Sequence, residues 1–209
     1  MSKDNLIDAL IRGKYLKTPR IIEAFKSIDR KDFIPQDLSD DAYVDEPLPI
    51  GFGQTISQPL TVAFMLEHLS PEPGDKILDV GAGSGWQSAI LAEVVGDKGR
   101  VISVERIPKL VEMAKENIAK YNFVGKGIVK IIYGDGSEGY GPEAPYDKIV
   151  AAAAAYEIPE AWKKQLKVGG RIVAPVDHSI VVLNKTSENE FDVKEYFGFS
   201  FVPLVKDGD

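Results

Sequence analysis

From residue 76 onward the chain alternates between two hydrophobic periods, and that alternation leaves few folds open. KILDV (76–80), RVISVE (100–105), GIVKIIY (127–133), DKIVAAA (147–153) and GRIVAPV (170–176) are apolar runs of strand length. Between them, residues 84–95, residues 108–120 and a segment from Pro159 to about Leu166 place apolar positions at helical spacing. Parallel strands need crossover connections, so this order predicts a parallel sheet with helices on both faces. SIVVLNK (179–185) and FDVKEYF (191–197) alternate around a polar turn and predict a closing antiparallel pair. Upstream, residues 4–12, 19–28 and 60–69 read as helices, and the Pro-, Asp- and Gly-rich stretch 31–52 reads as irregular. The expectation is one domain over residues 1–209: an N-terminal helical flank over 1–70 and an α/β core over 71–209.

The first strand runs into DVGAGSGW (79–86), which opens the next helix. Glycines there allow a tight turn and close approach of the backbone to a ligand. Their spacing excludes the familiar alternatives. A dinucleotide fingerprint needs a third small residue where Trp86 stands, a P-loop needs Gly-Lys-Ser/Thr, and a nucleophile elbow needs glycines where Ala82 and Trp86 flank Ser84. Glu105 ends the second strand, where a carboxylate can accept two ribose hydroxyls. Asp135, in the GDG triplet 134–136 after the third strand, stands where it could accept from an adenine amino group. A D-x-G-x-G-x-G loop with an acid ending the next strand resembles S-adenosyl-L-methionine-dependent methyltransferases of the Rossmann-like class I. The resemblance implies Asp79, Gly81, Gly83, Gly85, Glu105, Asp135 and Gly136 as its cofactor-binding residues.

A second motif, GQTISQP (53–59), carries no ionisable side chain and sets two hydroxyls, Thr55 and Ser57, ahead of a helix. Ser before Pro is also how a plain capped helix begins, so the residues alone leave two readings open. The longer run PLPIGFGQTISQPLTVAFMLEHL (47–69), with ILDVGAGSGWQSAILAEVVG, VISVERIPKLVEMAKENI, GDGSEGY, EIPEAWKKQLKVGGRIVAPV and FVPLV, closely resembles the protein-L-isoaspartate O-methyltransferases over nearly all of the chain. The resemblance implies methyl transfer to the α-carboxylate of isoaspartyl residues in damaged proteins and peptides, giving an ester that collapses to a succinimide. It implies Ser57 as the active-site residue and puts Thr55 and Ile56 along the cofactor. Departures fall at Ala152 and Tyr156, where the family more often has Thr and Pro, and at Asp177, where it often has Gly.

The chemistry suits the motif. A carboxylate with a pKa of about 4 is already an anion at neutral pH, so the acceptor needs no general base. Neutral hydroxyls and helix N-terminal N–H groups hold it without quenching it. The two histidines, His68 and His178, read as packing or surface residues, and no ligand-spaced metal motif appears.

A net charge of −7 argues against a nucleic-acid binder, and the absence of Cys removes disulfides and thiolate chemistry and fits the cytoplasm. The longest apolar run, 149–156, is far short of the roughly 20 residues a membrane span needs. A monomer is expected. The rivals are a methyltransferase of another acceptor and a non-catalytic S-adenosylmethionine-binding module; a nicotinamide oxidoreductase is the weakest, because of Trp86.

Overall fold

In the computed structural model, which describes residues 1–206, the predicted α/β core forms a seven-stranded sheet. Its strands are β3 (Lys76–Val80), β4 (Arg100–Glu105), β5 (Val129–Tyr133), β6 (Tyr146–Ala151), β7 (Leu166–Val176), β8 (Ser179–Lys185) and β9 (Phe191–Phe197), in the order β5-β4-β3-β6-β7-β8-β9. The pairs from β5 to β7 are parallel, and β8 and β9 extend the same sheet antiparallel. The chain winds outward through β3, β4 and β5, then returns to the other side of β3 through β6. That reversal opens a crevice at the carboxyl ends of β3 and β6, the usual ligand site of such sheets.

Both faces of the central strands are buried, which is why they read as unbroken apolar runs rather than alternating ones. Ile77, Val101, Val150 and Val173 belong to one buried cluster, and their neighbours Leu78, Ile102, Ile149 and Ile172 belong to another. The covering is lopsided. α3 (Pro59–Leu69), α4 (Trp86–Val95) and α5 (Pro108–Ala119) contribute to the first cluster, together with α1 (Lys3–Arg12) and α2 (Pro19–Ser27) of the flank. The second face has the short α6 (Glu160–Gln165), whose Trp162 is fully buried. α4 is buried on nearly every side, at all of its residues but Glu93, because it lies between the sheet and α2. His68 fills a gap between Phe64 and Tyr196, with ring centroids 4.4 and 4.5 Å away.

The stretch 31–52 is more ordered than expected. It holds two 3-10 turns, Arg30–Phe33 and Gln36–Asp41, and a strand, β1 (Leu48–Gly51), paired antiparallel with β2 (Gln54–Ile56). The hairpin turns through three consecutive left-handed residues, Gly51, Phe52 and Gly53 (φ +89°, +54° and +70°). Two glycines make that path accessible, and their presence is what made the segment read as loop. The hairpin delivers Thr55, Ile56 and Ser57 to the sheet's carboxyl edge.

Candidate active site

The glycine loop is fixed from three directions. Gly81 and Ala82 donate their N–H groups to the Val104 carbonyl, at 2.8 and 3.2 Å. Gly83 donates to Glu105 Oε2 at 2.9 Å, while Glu105 Oε1 accepts from the Ile107 N–H at 2.9 Å. Asn117 Nδ2 donates to the Ser84 carbonyl at 3.0 Å. Gly85 begins α4 at φ +96°, and a Cβ there would stand 2.9 Å from Ile118 Cδ1 and 3.3 Å from Ala114 Cα. The close-packing role that a dinucleotide fold gives to its third glycine therefore falls on Gly85, against α5. Trp86 turns the other way, its ring edge-on to Phe25 at 5.6 Å.

The crevice holds two adjoining chambers. The first is lined by Gly81, Gly83, Glu105, Ile107, Leu110 and Gly136, with Gln54, Thr55, Ala152 and the C-terminal segment 202–205 closing it. The second is lined by Pro47, Thr55, Ser57, Gln58, Thr61, Ala152, Ser200, Phe201 and Val202, none of which is ionisable. Thr55 and Ala152 line both, so the chambers meet there. Ile56 and Ser57 also face the glycine loop across a smaller cavity shared with Gly81 and Gly83.

Two candidate residues do not line the first chamber, and a third does not cap its helix. Asp79 is fully buried and does not line the first chamber; its carboxylate accepts from Gln87 Nε2 (2.8 Å) and Ser88 Oγ (2.6 Å). It anchors α4 to β3 behind the loop. Burial pushes its pKa up to about 6, against the opposing pull of those two donors. Asp135 accepts from the Ser137 N–H at 2.8 Å and caps a 3-10 turn, so Gly136 provides the chamber wall. A Cβ on Gly136 would meet Val80 Cγ1 at 2.5 Å, which explains the glycine. Ser57 is not the cap of α3. Pro59 excludes the preceding residue from helical geometry, so Gln58 takes the cap position (φ −56°, ψ 133°). The Leu60 N–H is instead satisfied by Asp45 Oδ1 at 2.8 Å, which leaves the Ser57 hydroxyl outside the capping scheme.

Reading the sequence missed Arg30, Asp45 and the role of residues 202–205. Arg30 is only 2% exposed despite its charge. Burial lowers its pKa to about 10, which leaves it charged at neutral pH.

A family model described as Protein-L-isoaspartate(D-aspartate) O-methyltransferase (PCMT) matches residues 1–209. The chain belongs to the protein-L-isoaspartate O-methyltransferase family. Relatives named protein-L-isoaspartate O-methyltransferase from Methanopyrus kandleri and Ignicoccus hospitalis are each 45% identical to it; the matches cover 98% of this chain and 91% and 98% of theirs. A Plasmodium falciparum structure assigned to the same activity, in complex with S-adenosyl-L-homocysteine, superposes with a TM-score of 0.89 at 25% identity, covering 99% of this chain and all of that one. The α/β fold expected from the alternation, and the class I methyltransferase fold that the resemblance of the glycine loop implied, are therefore the fold observed. Of the departures from the family pattern, Ala152 lines both chambers, whereas Tyr156 stands 93% exposed on a separate groove with Glu157 and Lys164. Asp177 adopts the left-handed conformation (φ +49°), which accounts for glycine being common there.

The network at Asp79 makes a pH prediction. Its folded-state pKa lies above the ordinary 3.8, so the folded protein binds the extra proton between about pH 4 and 6. Its contribution is complete below pH 4 and lost as pH rises through 6. The stability of the wild type relative to Asp79→Asn should therefore rise as pH falls from 7 to 4, by roughly 2–3 kcal/mol, in paired urea titrations. A difference that is flat with pH would show that Asp79 is ionised throughout.

Proposed function

We propose that this protein transfers the methyl group of S-adenosyl-L-methionine to the α-carboxylate of L-isoaspartyl residues in damaged proteins and peptides. The observation that carries the reading is the neutral second chamber beside the glycine-loop cavity. Methyl transfer to a hydroxyl or amine needs a base, and no ionisable side chain lines that chamber. A carboxylate needs none.

The first chamber fits the cofactor by its chemistry. Each Glu105 oxygen already accepts one backbone N–H and keeps a lone pair for a ribose hydroxyl, while Gly81, Gly83 and Gly136 leave room for close approach. S-adenosyl-L-methionine would supply an electrophilic sulfonium methyl. Glu105, Gly81, Gly83 and Gly136 would hold it, with Thr55 and Ile56 alongside and Asp79, Gly85 and Asp135 shaping the loops that do so. Ser57 Oγ would donate to the acceptor carboxylate and aim its other oxygen in line. Bound there, S-adenosyl-L-methionine would supply the methyl group to that oxygen and keep the departing electron pair on its sulfur, so the surrounding residues would have no proton to move. Alignment is the main task, and positioning of this kind can contribute several kcal/mol. The amide nitrogen of the isoaspartyl linkage then attacks the ester carbonyl, the bond to the methoxy oxygen breaks, and methoxide leaves with the N–H proton as methanol, closing the succinimide.

The same reading takes residues 1–209 as one methyltransferase domain, because Leu6, Ile21 and Phe25 of the flank share a buried cluster with the sheet. It also takes the protein as a cytoplasmic monomer whose partners are isoaspartyl chains rather than nucleic acid, in line with zero Cys and a net charge of −7.

The deciding experiment uses labelled S-adenosylmethionine and two peptides differing only in Asp versus isoAsp. Label should enter the isoAsp peptide alone; label in neither would refute the acceptor. Ser57→Ala should lower kcat by roughly 10²-fold, in the range of a lost transition-state donor, with the cofactor dissociation constant little changed. Unchanged turnover would remove Ser57 from the mechanism.

A further inference from the structure

Arg30 lies behind the second chamber and shares no bond with the first. Nη1 donates to the carbonyls of Ala42 (2.9 Å) and Val44 (3.2 Å), and Nη2 to those of Glu46 (2.8 Å) and Ser57 (3.2 Å). Two nitrogens with four N–H groups thus serve four carbonyls. The guanidinium also lies 5.4 Å from the ring centroid of Trp86, the first residue of α4 after Gly85. The organised segment 42–46 grips the residues after Ser57 in turn. The Asp45 carbonyl accepts from Gln58 Nε2 at 2.9 Å, and Asp45 Oδ1 accepts from the Leu60 N–H at 2.8 Å. Pro47, directly after the bonded Glu46, lines the same chamber as Ser57.

We propose that Arg30 is a positioning residue: its guanidinium sets the Ser57 peptide and the 42–46 segment at a fixed distance from each other, and thereby the width and direction of the isoaspartyl carboxylate pocket. The inference rests on the isoaspartyl reading of the second chamber. A buried guanidinium bonded only to carbonyls is costly to desolvate, and its geometric return is a fork that spans two chain segments. Lysine cannot reproduce it, because its three donors radiate from one point. None of the four bonded carbonyl residues lines the first chamber, so the effect should be confined to the acceptor.

The test compares wild type, Arg30→Lys, Arg30→Met and Asp45→Ala. Asp45 is half-buried and its charge favours the Arg30 cation, but its loss removes none of the four bonds from the guanidinium to carbonyls, so this variant is the second probe where the arginine variants prove too unstable to assay. For each, S-adenosylhomocysteine affinity is measured by calorimetry, and KM and kcat with an isoaspartyl peptide. In Arg30→Lys and Arg30→Met, KM should rise at least tenfold and kcat/KM fall by about 100-fold, the equivalent of two or three lost hydrogen bonds, with cofactor affinity within twofold. Asp45→Ala should show the same acceptor-selective pattern at about tenfold. Parallel weakening of cofactor and acceptor would make Arg30 a general structural strut and overturn the proposal, as would unchanged kcat/KM in Asp45→Ala. Wild type inactive on the peptide would instead refute the isoaspartyl reading itself.

Discussion

Gly85→Ala should lower the stability of this protein by about 3 kcal/mol and weaken cofactor binding with it. Two effects add. At φ +96° an L side chain is strained, at a cost of roughly 1–2 kcal/mol. The new Cβ would also press on α5, at 2.9 and 3.0 Å from the Ile118 side chain and 3.3 Å from Ala114 Cα. Ile118 is fully buried and cannot swing away, and the Ala114 atom is backbone, so overpacking adds roughly 1–3 kcal/mol. Gly74→Ala separates the two effects. Its φ is +91° and nothing lies within 4 Å of the added Cβ, so it carries the strain alone. Urea denaturation of both variants should therefore place Gly85→Ala clearly below Gly74→Ala. Equal losses would mean that α5 moves aside freely, and that the glycine is there for its backbone conformation only.

Glu105→Ala should raise the dissociation constant for S-adenosylhomocysteine by about 100-fold or more. Glu105 is 6% exposed and ties the glycine loop to the turn after β4 through Gly83 and Ile107. Removing it takes away charge-assisted bonds to the ligand, about 1.5–3 kcal/mol in total, and frees the loop that would cradle it. Glu105→Gln keeps the shape but turns one oxygen into a donor facing an N–H, so it should come close to the alanine variant. Calorimetry on all three proteins checks this. A shift of less than threefold in both variants would sink the ribose assignment of Glu105, leaving it as a loop brace.

The two largest effects fall on residues that the sequence singled out, and there is a reason. Gly85 and Glu105 act through the backbone within one strand–loop–helix unit, and such units have a fixed local grammar. Positive φ calls for glycine, and the carboxyl end of a strand beside the loop is where an acid can reach it. The succession of strands and helices along the chain and the antiparallel pair β8–β9 were legible in the same way, because period and length identify an element without knowledge of its neighbours. GQTISQP stood out through what it lacks, an ionisable side chain. The family resemblance then attached Ser57 to it.

Long-range geometry was not legible. That the Leu60 N–H is satisfied by a carboxylate rather than by Ser57 depends on Asp45 reaching it from 15 positions upstream. That Asp79 anchors a helix behind the loop depends on Gln87 and Ser88 turning inward from α4. Nothing in the residues around Arg30 marks it as buried; its partners are the carbonyls of Ala42, Val44, Glu46 and Ser57 and the ring of Trp86, all distant along the chain. The sequence by itself determined the α/β alternation, the glycine loop and the uncharged motif, because each is written within a few consecutive residues. The tertiary structure decided which side chains face the two chambers and which support them from behind, because burial and partner choice arise from segments distant along the chain that meet only when the sheet and the flank pack together.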